Sequence, residues 1–347
     1  MKMSISSIIM KIANVSFAIF SLIGFSACTG NKSNDTGYLK ISGERFHTYY
    51  HITYQGTEDF SNGIDSVFEV FNHSANPFDT TSLIAAINNN QGNRMDDILK
   101  TIITRSFDIS KASGGAYDIT CSPLINAWGF GYEHLKEVDA QVIDSLKKFV
   151  GYEKITLTND TLIKQDERMK LDLSSISKGY CSDLIASFLK SRGVENFLVE
   201  IGGEIAYKGV NPNGEAWRVG INKPLFDTTG LIQDLEEIVV LQGNGGLATS
   251  GNYRNFKLID GKRVGHTIDP KSGYPIQTDV LSATVIAADC MTADGLATAL
   301  MVVGSQKAEE LMSKFSNTEY LLILGTKDEN GFKTMVSPGF RQKIISK

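Results

Sequence analysis

LATSGNYRNF (247–256), GHTIDPKSGYP (265–275) and MTADGLATALMVVG (291–304) lie within reach of one another, and the reading of the last run organises the rest of the chain. Its apolar residues recur at helical spacing and Gly304 supplies a stop, which predicts an amphipathic helix. On that helix Asp294 and Thr298 lie one turn apart on the same face. A carboxylate above a hydroxyl suits a small hard cation such as Mg²⁺, which takes oxygen ligands, few of them from the protein. The plainer reading has Asp294 in the first turn, complementing the helix dipole, and Thr298 simply packed. His266 favours the first reading. It follows Gly265 and precedes Asp269, Pro270, Gly273 and Pro275, a turn-rich loop able to hold a base in place.

The chain has 347 residues, of which 42% are hydrophobic and 21% charged, ordinary values for a globular protein with a sizeable core. Ile64, Val67, Phe68 and Phe71 predict one helix, ended by Asn76-Pro77. Met95, Ile98, Leu99, Ile102 and Ile103 predict a second, and Val142, Ile143, Leu146 and Phe149 a third, closed by Gly151. Residues 47–54 read as a strand. From Lys154 strands dominate: KITLT, TLIK, KLDL, NFLVEIG, WRVGIN, EEIVVLQ, LSATVIAA and EYLLILG, interrupted by a helix carrying Tyr180, Leu184, Ile185, Phe188 and Leu189. Short turns between neighbours favour antiparallel pairing, so the expected class is α+β, with antiparallel-rich sheets packed with helices.

Residues 1–27 carry Lys2 and Lys11, no acid and an apolar run, the pattern of a secretory signal peptide. The run ends in Gly24-Phe25-Ser26-Ala27-Cys28, similar to a bacterial lipobox with Phe where Leu is usual. Cleavage there would leave a lipidated tether over 28–39, polar from Asn31 to Gly37, and a domain over 40–347; the plainer reading is a soluble secreted protein cut near Ala27. The expected location is a bacterial cell membrane, with the chain lipid-anchored at Cys28 and facing the periplasm or exterior. Loss of Lys2 and Lys11 from the 34 basic residues leaves 32 against 39 acidic, a net charge of −7 that argues against nucleic acid. Cys121, Cys181 and Cys290 are too scattered for a disulfide framework or a zinc pattern.

Phosphate-loop, HExxH and GxSxG signatures are absent. Residues 243–248 match GxGxxA, but Thr-Ser-Gly-Asn cannot readily open the helix that a dinucleotide fingerprint needs, so these glycines read as sites of tight turning or close approach. LDLSSISKGYCSD (171–183) leads from Asp172 through serines to Lys178 at a helix start, a place for an anionic ligand or for ordinary capping by Ser174 or Ser175. In GGAYDITCSPLINAWGFG (114–131), Tyr117, Trp128 and Phe130 either line a groove for a flat ligand or belong to the core.

These blocks, with LVEIGGEIAYKG (198–209) between them, resemble in content and order the ApbE-like FAD:protein FMN transferase family over nearly all of residues 40–340. The resemblance implies a T-fold-like single catalytic domain. It also implies an Mg²⁺-dependent enzyme that takes FAD as substrate, moves FMN to a Thr hydroxyl of an acceptor redox protein, and releases AMP. Asp294, Thr298 and the Ser175 carbonyl would hold Mg²⁺, and His266 would take the acceptor proton, a task suited to imidazole. Phe46, Ala116, Tyr117, Asp118, Asp172, Lys178 and Ile268 would contact FAD. Phe46-His47-Thr48 departs from the family's Met-Gly-Thr, and Asn76 stands where many members have Tyr. Other outcomes are hydrolysis of FAD to FMN and AMP, or a lipoprotein that carries flavin, covalently or not, without transferring it. Asp294-Gly295-Leu296-Ala297-Thr298 superficially resembles a flavin acceptor motif.

Overall fold

The apolar runs assemble mainly into one eight-stranded sheet whose spatial order follows the chain: Tyr38–Arg45, Thr48–Gln55, Phe197–Ile201, Glu204–Lys208, Asn244–Gly251, Val280–Ala287, Glu319–Gly325 and Phe332–Val336. Every neighbouring pair is antiparallel. The structure is a computed structural model that describes residues 37–131, 138–224, 235–252, 256–259, 262–326 and 331–345. These residues fall in one compact unit, and the residues read from sequence as a signal peptide and lipobox lie outside the described residues.

Side chains of a strand alternate between faces, and here both faces are buried. Val199, Ala206, Ala248, Val285 and Leu322 join the core under the helices. Their neighbours Ile205, Leu247, Ile286 and Leu321 join a second core with the hairpin Trp217–Asn222/Leu235–Leu241 and Phe340. That double burial explains why LSATVIAA and EYLLILG are nearly continuous apolar runs.

Helices Ser61–Ala75, Asp97–Ala112, Ser177–Ser191 and Cys290–Val303 supply the first core. The last two carry the residues of interest and are called the lysine helix and the aspartate helix. The aspartate helix stops at Gly304 (φ 77°), as its sequence predicts. It is not amphipathic, however: residues 290–297 and 299–301 are all buried, since the sheet lies on one side and Ile109 and Ile176 press on another. Asp294 is not in the first turn either. Asp289 caps the helix by accepting the Thr292 N–H at 2.7 Å, and the first turn holds no acid.

Three further expectations change. KLDL (170–173) is not a strand: Leu171 N–H donates to Asn88 Oδ1, Leu171 O accepts from Asn88 Nδ2, and Asp172 N–H donates to Ile119 O. One side chain replaces a neighbouring strand. The helix at 140 runs Ala140–Leu146 and tightens to a 3₁₀ turn over Lys147–Phe149 before Gly151 (φ 138°). The first strand takes in Tyr38 and Leu39, which the sequence assigned to the tether. As predicted, the first helix ends at Asn76-Pro77: it runs to Ala75, and Asn76 is extended (φ −89°, ψ 108°), the conformation a following proline imposes.

Candidate active site

Ala116, Tyr117, Asp118, Asp172, Ser175, Lys178, His266, Ile268, Asp294 and Thr298 line one cavity of about 220 Å³. Phe46 instead lines an adjoining mouth of about 560 Å³ that shares Asp172, Lys178 and His266 with the cavity. Residues from distant parts of the chain thus form a single recess with an aromatic entrance.

The floor is the crossing of the lysine and aspartate helices. Gly179 N–H donates to Asp294 Oδ2 at 3.0 Å, a contact that requires glycine, because a Cβ there would lie 2.5 Å from Cys290 O and 2.8 Å from Asp294 Cβ. One residue earlier, Lys178 Nζ lies 3.2 Å from Glu204 Oε1. Burial pushes both the Glu204 and Asp294 carboxyls up, and Lys178 pulls each back down. Burial alone would lower the Lys178 pKa, yet Glu204 and then Asp294 raise it above its ordinary value, so the ammonium is held charged. Fully ionised, these three groups carry a net charge of −1. A bound cation would offset it.

Thr298, one turn past Asp294, is half-buried and shares a hydrogen bond of 3.0 Å with Ser250 Oγ on the strand Asn244–Gly251. That strand reaches the helix because it carries glycine: a Cβ on Gly246 would lie 2.2 Å from Cys290 Cα. In GxGxxA, Gly243 (φ 76°) therefore turns the chain into the strand, and Gly245 and Gly246 are close-approach glycines inside it, not a phosphate loop. Among the described residues no group of three or more His, Cys, Asp or Glu side chains is placed to hold a metal. A cation here would rely on one carboxylate, a hydroxyl and main-chain oxygen, a hard-oxygen set with room for water or phosphate, which fits Mg²⁺ and not zinc.

One wall comes from residues 114–131 and the turn at 174–176. Ser175 does not cap the lysine helix; its hydroxyl donates to Tyr117 Oη at 3.0 Å, and the helix has no side-chain cap. Burial holds the Tyr117 phenol well above its ordinary range, so it stays protonated. Asp118 accepts from Thr120 N–H, Thr120 Oγ and Tyr152 N–H at 2.7–2.8 Å, which makes it an anchor of its loop as well as a lining group. Asp172 accepts the Ser174 N–H at 2.8 Å and so shapes the turn before the lysine helix. Phe130 lines the mouth, whereas Trp128 locks loops, its indole N–H donating to Gly273 O at 2.9 Å.

His266 is half-buried between cavity and mouth, with Phe130 edge-on at 6.4 Å. Its loop is tied down by several contacts. Ile268 bridges to Pro275, Asp269 N–H donates to Tyr274 O, Gly273 turns at φ 82°, and Thr267 Oγ1 donates to Asn252 Oδ1. Asp269, the other base candidate, accepts from Lys271 and Ser272 N–H within the same turn and does not line the cavity.

Sequence reasoning missed Glu204, the partner of Lys178. Its signal was present: an acid after Gly202-Gly203 at the head of a strand otherwise buried through Tyr207. One of its oxygens, Oε2, is buried without a hydrogen-bond partner.

The recess thus gathers an imidazole, a buried carboxyl, a hydroxyl and a lysine from distant parts of one α+β fold. The chain belongs to the ApbE family, whose model matches residues 46–322. It is 35% identical to the FAD:protein FMN transferase of Haemophilus influenzae, over 97% of this chain and 99% of that one, and 32% identical to its namesake from Vibrio cholerae, over 93% and 97%. Among solved structures, the flavin transferase ApbE from Vibrio cholerae superposes with a TM-score of 0.79 at 33% identity, covering 88% of this chain and 99% of that one.

Proposed function

We infer that this chain transfers FMN from FAD to a target protein. The observation that carries this reading is the convergence of His266, Lys178, Asp294 and Thr298, from three separate stretches of sequence, on one cavity. The acceptor is a Thr hydroxyl. His266 takes its proton while the hydroxyl oxygen attacks the FMN phosphorus; the bond from that phosphorus to the bridging oxygen breaks, and AMP leaves. Such a reaction needs positioning and charge neutralisation more than covalent help from the protein. Asp294, Thr298 and the Ser175 carbonyl would hold Mg²⁺, which when bound supplies positive charge to the pyrophosphate oxygens. Lys178 adds a fixed charge beside it. Ala116, Tyr117, Asp118, Asp172 and Ile268 shape the cavity around the dinucleotide, and Phe46 contributes to the aromatic mouth.

Incubation with FAD, Mg²⁺ and a Thr-motif peptide should add the mass of FMN to the peptide and release AMP. Release of free FMN with an unmodified peptide would instead identify an FAD hydrolase. Thr298 is an unsuitable acceptor, because it lies half-buried in the helix that forms the cavity floor.

We also propose that Cys28 is lipidated and holds the domain at a bacterial membrane, facing the acceptor's compartment. No described helix is long and apolar enough to cross a bilayer. One acyl chain binds only marginally, so retention requires the several chains of a lipoprotein. Cys28→Ser should move the protein to the soluble fraction; unchanged membrane partitioning of that variant would point to a different anchor.

A further inference from the structure

The lysine and aspartate helices are tied at two points, and only one of them lies in the cavity. Gly179 N–H donates to Asp294 Oδ2, whereas Asp183, one turn further along the lysine helix, accepts from Cys290 N–H at 2.9 Å and Met291 N–H at 2.8 Å, one turn back along the aspartate helix. The two ties run in opposite order along the two helices, which therefore cross antiparallel. At the first tie the backbones meet across Gly179, where no side chain can stand.

We propose that Asp183 is a positioning residue for the cation site: it fixes the start of the aspartate helix against the lysine helix, and so sets where Asp294 and Thr298 project relative to Lys178. This rests on the Mg²⁺ reading above. A helix N-terminus leaves several N–H groups without intrahelical acceptors, and a carboxylate there also complements the dipole. The aspartate helix already owns a cap in Asp289, which accepts the Thr292 N–H. An internal cap stabilises a helix without placing it. Asp183 differs because it belongs to the neighbouring helix and holds both of the first two N–H groups, one per oxygen. With Gly179 as the second tie, both sliding and rotation of the aspartate helix are fixed.

The test is a binding measurement, so it does not depend on turnover. FAD affinity is measured by flavin fluorescence with and without Mg²⁺ for wild type, Asp183→Asn and Asp289→Ala, at a temperature where all three are folded. The amide of Asp183→Asn keeps the size of the carboxylate but turns a donor toward one of the two N–H groups. The factor by which Mg²⁺ tightens FAD binding should fall by about tenfold in this variant, the scale of a typical coupling between sites. Its affinity for FAD without Mg²⁺ should match wild type. Asp289→Ala should melt at a lower temperature yet keep the wild-type Mg²⁺ factor, which separates positioning from stability. If Asp183→Asn does not fold, Asp183→Glu, which keeps the charge but lengthens the tie, carries the same expectation. Retention of the full wild-type Mg²⁺ factor by whichever variant folds overturns the inference alone. Absence of any Mg²⁺ effect in wild type overturns the cation reading and this inference with it.

Discussion

The cavity floor and its mouth are built on opposite principles. At the floor, crowding is relieved by glycine: Gly179 and Gly246 lie where a side chain would collide with the aspartate helix. At the mouth, the two-residue turn between Arg45 and Thr48 is made by Phe46 (φ 54°) and His47 (φ 58°). A hairpin turn of this type needs positive φ at both central residues and normally uses Asn-Gly. The floor is therefore relaxed, buried and charged, whereas the mouth is strained, aromatic and partly exposed. Phe46 packs edge-on against Phe68 and Phe71, and His47 faces Phe78, itself 60% exposed. Chemistry should depend on the floor, and substitutions at the mouth should act mainly on stability and on access.

The largest expected effect comes from Asp294→Ala. Loss of the only carboxylate in the proposed cation set should remove several kcal/mol of charge stabilisation, a fall of about 10⁴-fold or more in FMN transfer. Stability should change little. The Gly179 N–H loses its acceptor, a cost of about 1–3 kcal/mol, but Lys178 and Glu204 are then left as a balanced pair without a second buried carboxylate. Mass analysis of the acceptor and a melting curve read both quantities. Full transfer by this variant, or by wild type in chelator, would remove the cation from the mechanism and erase the distinction between floor and mouth.

His266 stands between the two regions, so its replacement sharpens the comparison. His266→Ala should slow transfer by about 10²–10⁴-fold, the usual worth of a general base, while FAD affinity stays near wild type. A parallel loss of FAD affinity would assign His266 to the mouth as a binding group.

The two regions also differ in how far the sequence disclosed them. Asp294, Thr298, Lys178 and His266 were legible because helix periodicity and turn chemistry are local. The buried strands at 280–287 and 319–325 were legible as apolar runs. Asn244–Gly251 was not, since its glycines look like turn signals, whereas Gly245 and Gly246 serve close approach to Ala287 and Cys290, partners over forty residues away. KLDL misled in the opposite sense: its alternation is that of a strand, but its hydrogen bonds go to Asn88 and Ile119. Glu204 and Asp183 escaped notice because the burial of a charge depends on which helix covers it. Nothing adjacent in sequence records that.

The smallest effect is expected at the mouth itself, from His47→Gly. A non-glycine residue in the left-handed region costs about 1–2 kcal/mol, which glycine would remove. Glycine also has more conformational freedom to lose on folding, an opposing term of about 0.5–1 kcal/mol. The edge contact with Phe78 disappears as well, but that ring is largely exposed and the contact contributes little. The sum is a gain of about 0–1.5 kcal/mol, read as a higher denaturant midpoint with an unchanged slope. Because the hairpin lies outside the charged floor, the rate of FMN transfer at saturating FAD should stay at the wild-type value. Destabilisation by His47→Gly would mean that the His47 ring holds the turn in place and that the mouth is packed, not strained. A fall in the saturated rate would carry the mouth into the chemistry and break the division of labour between the two regions.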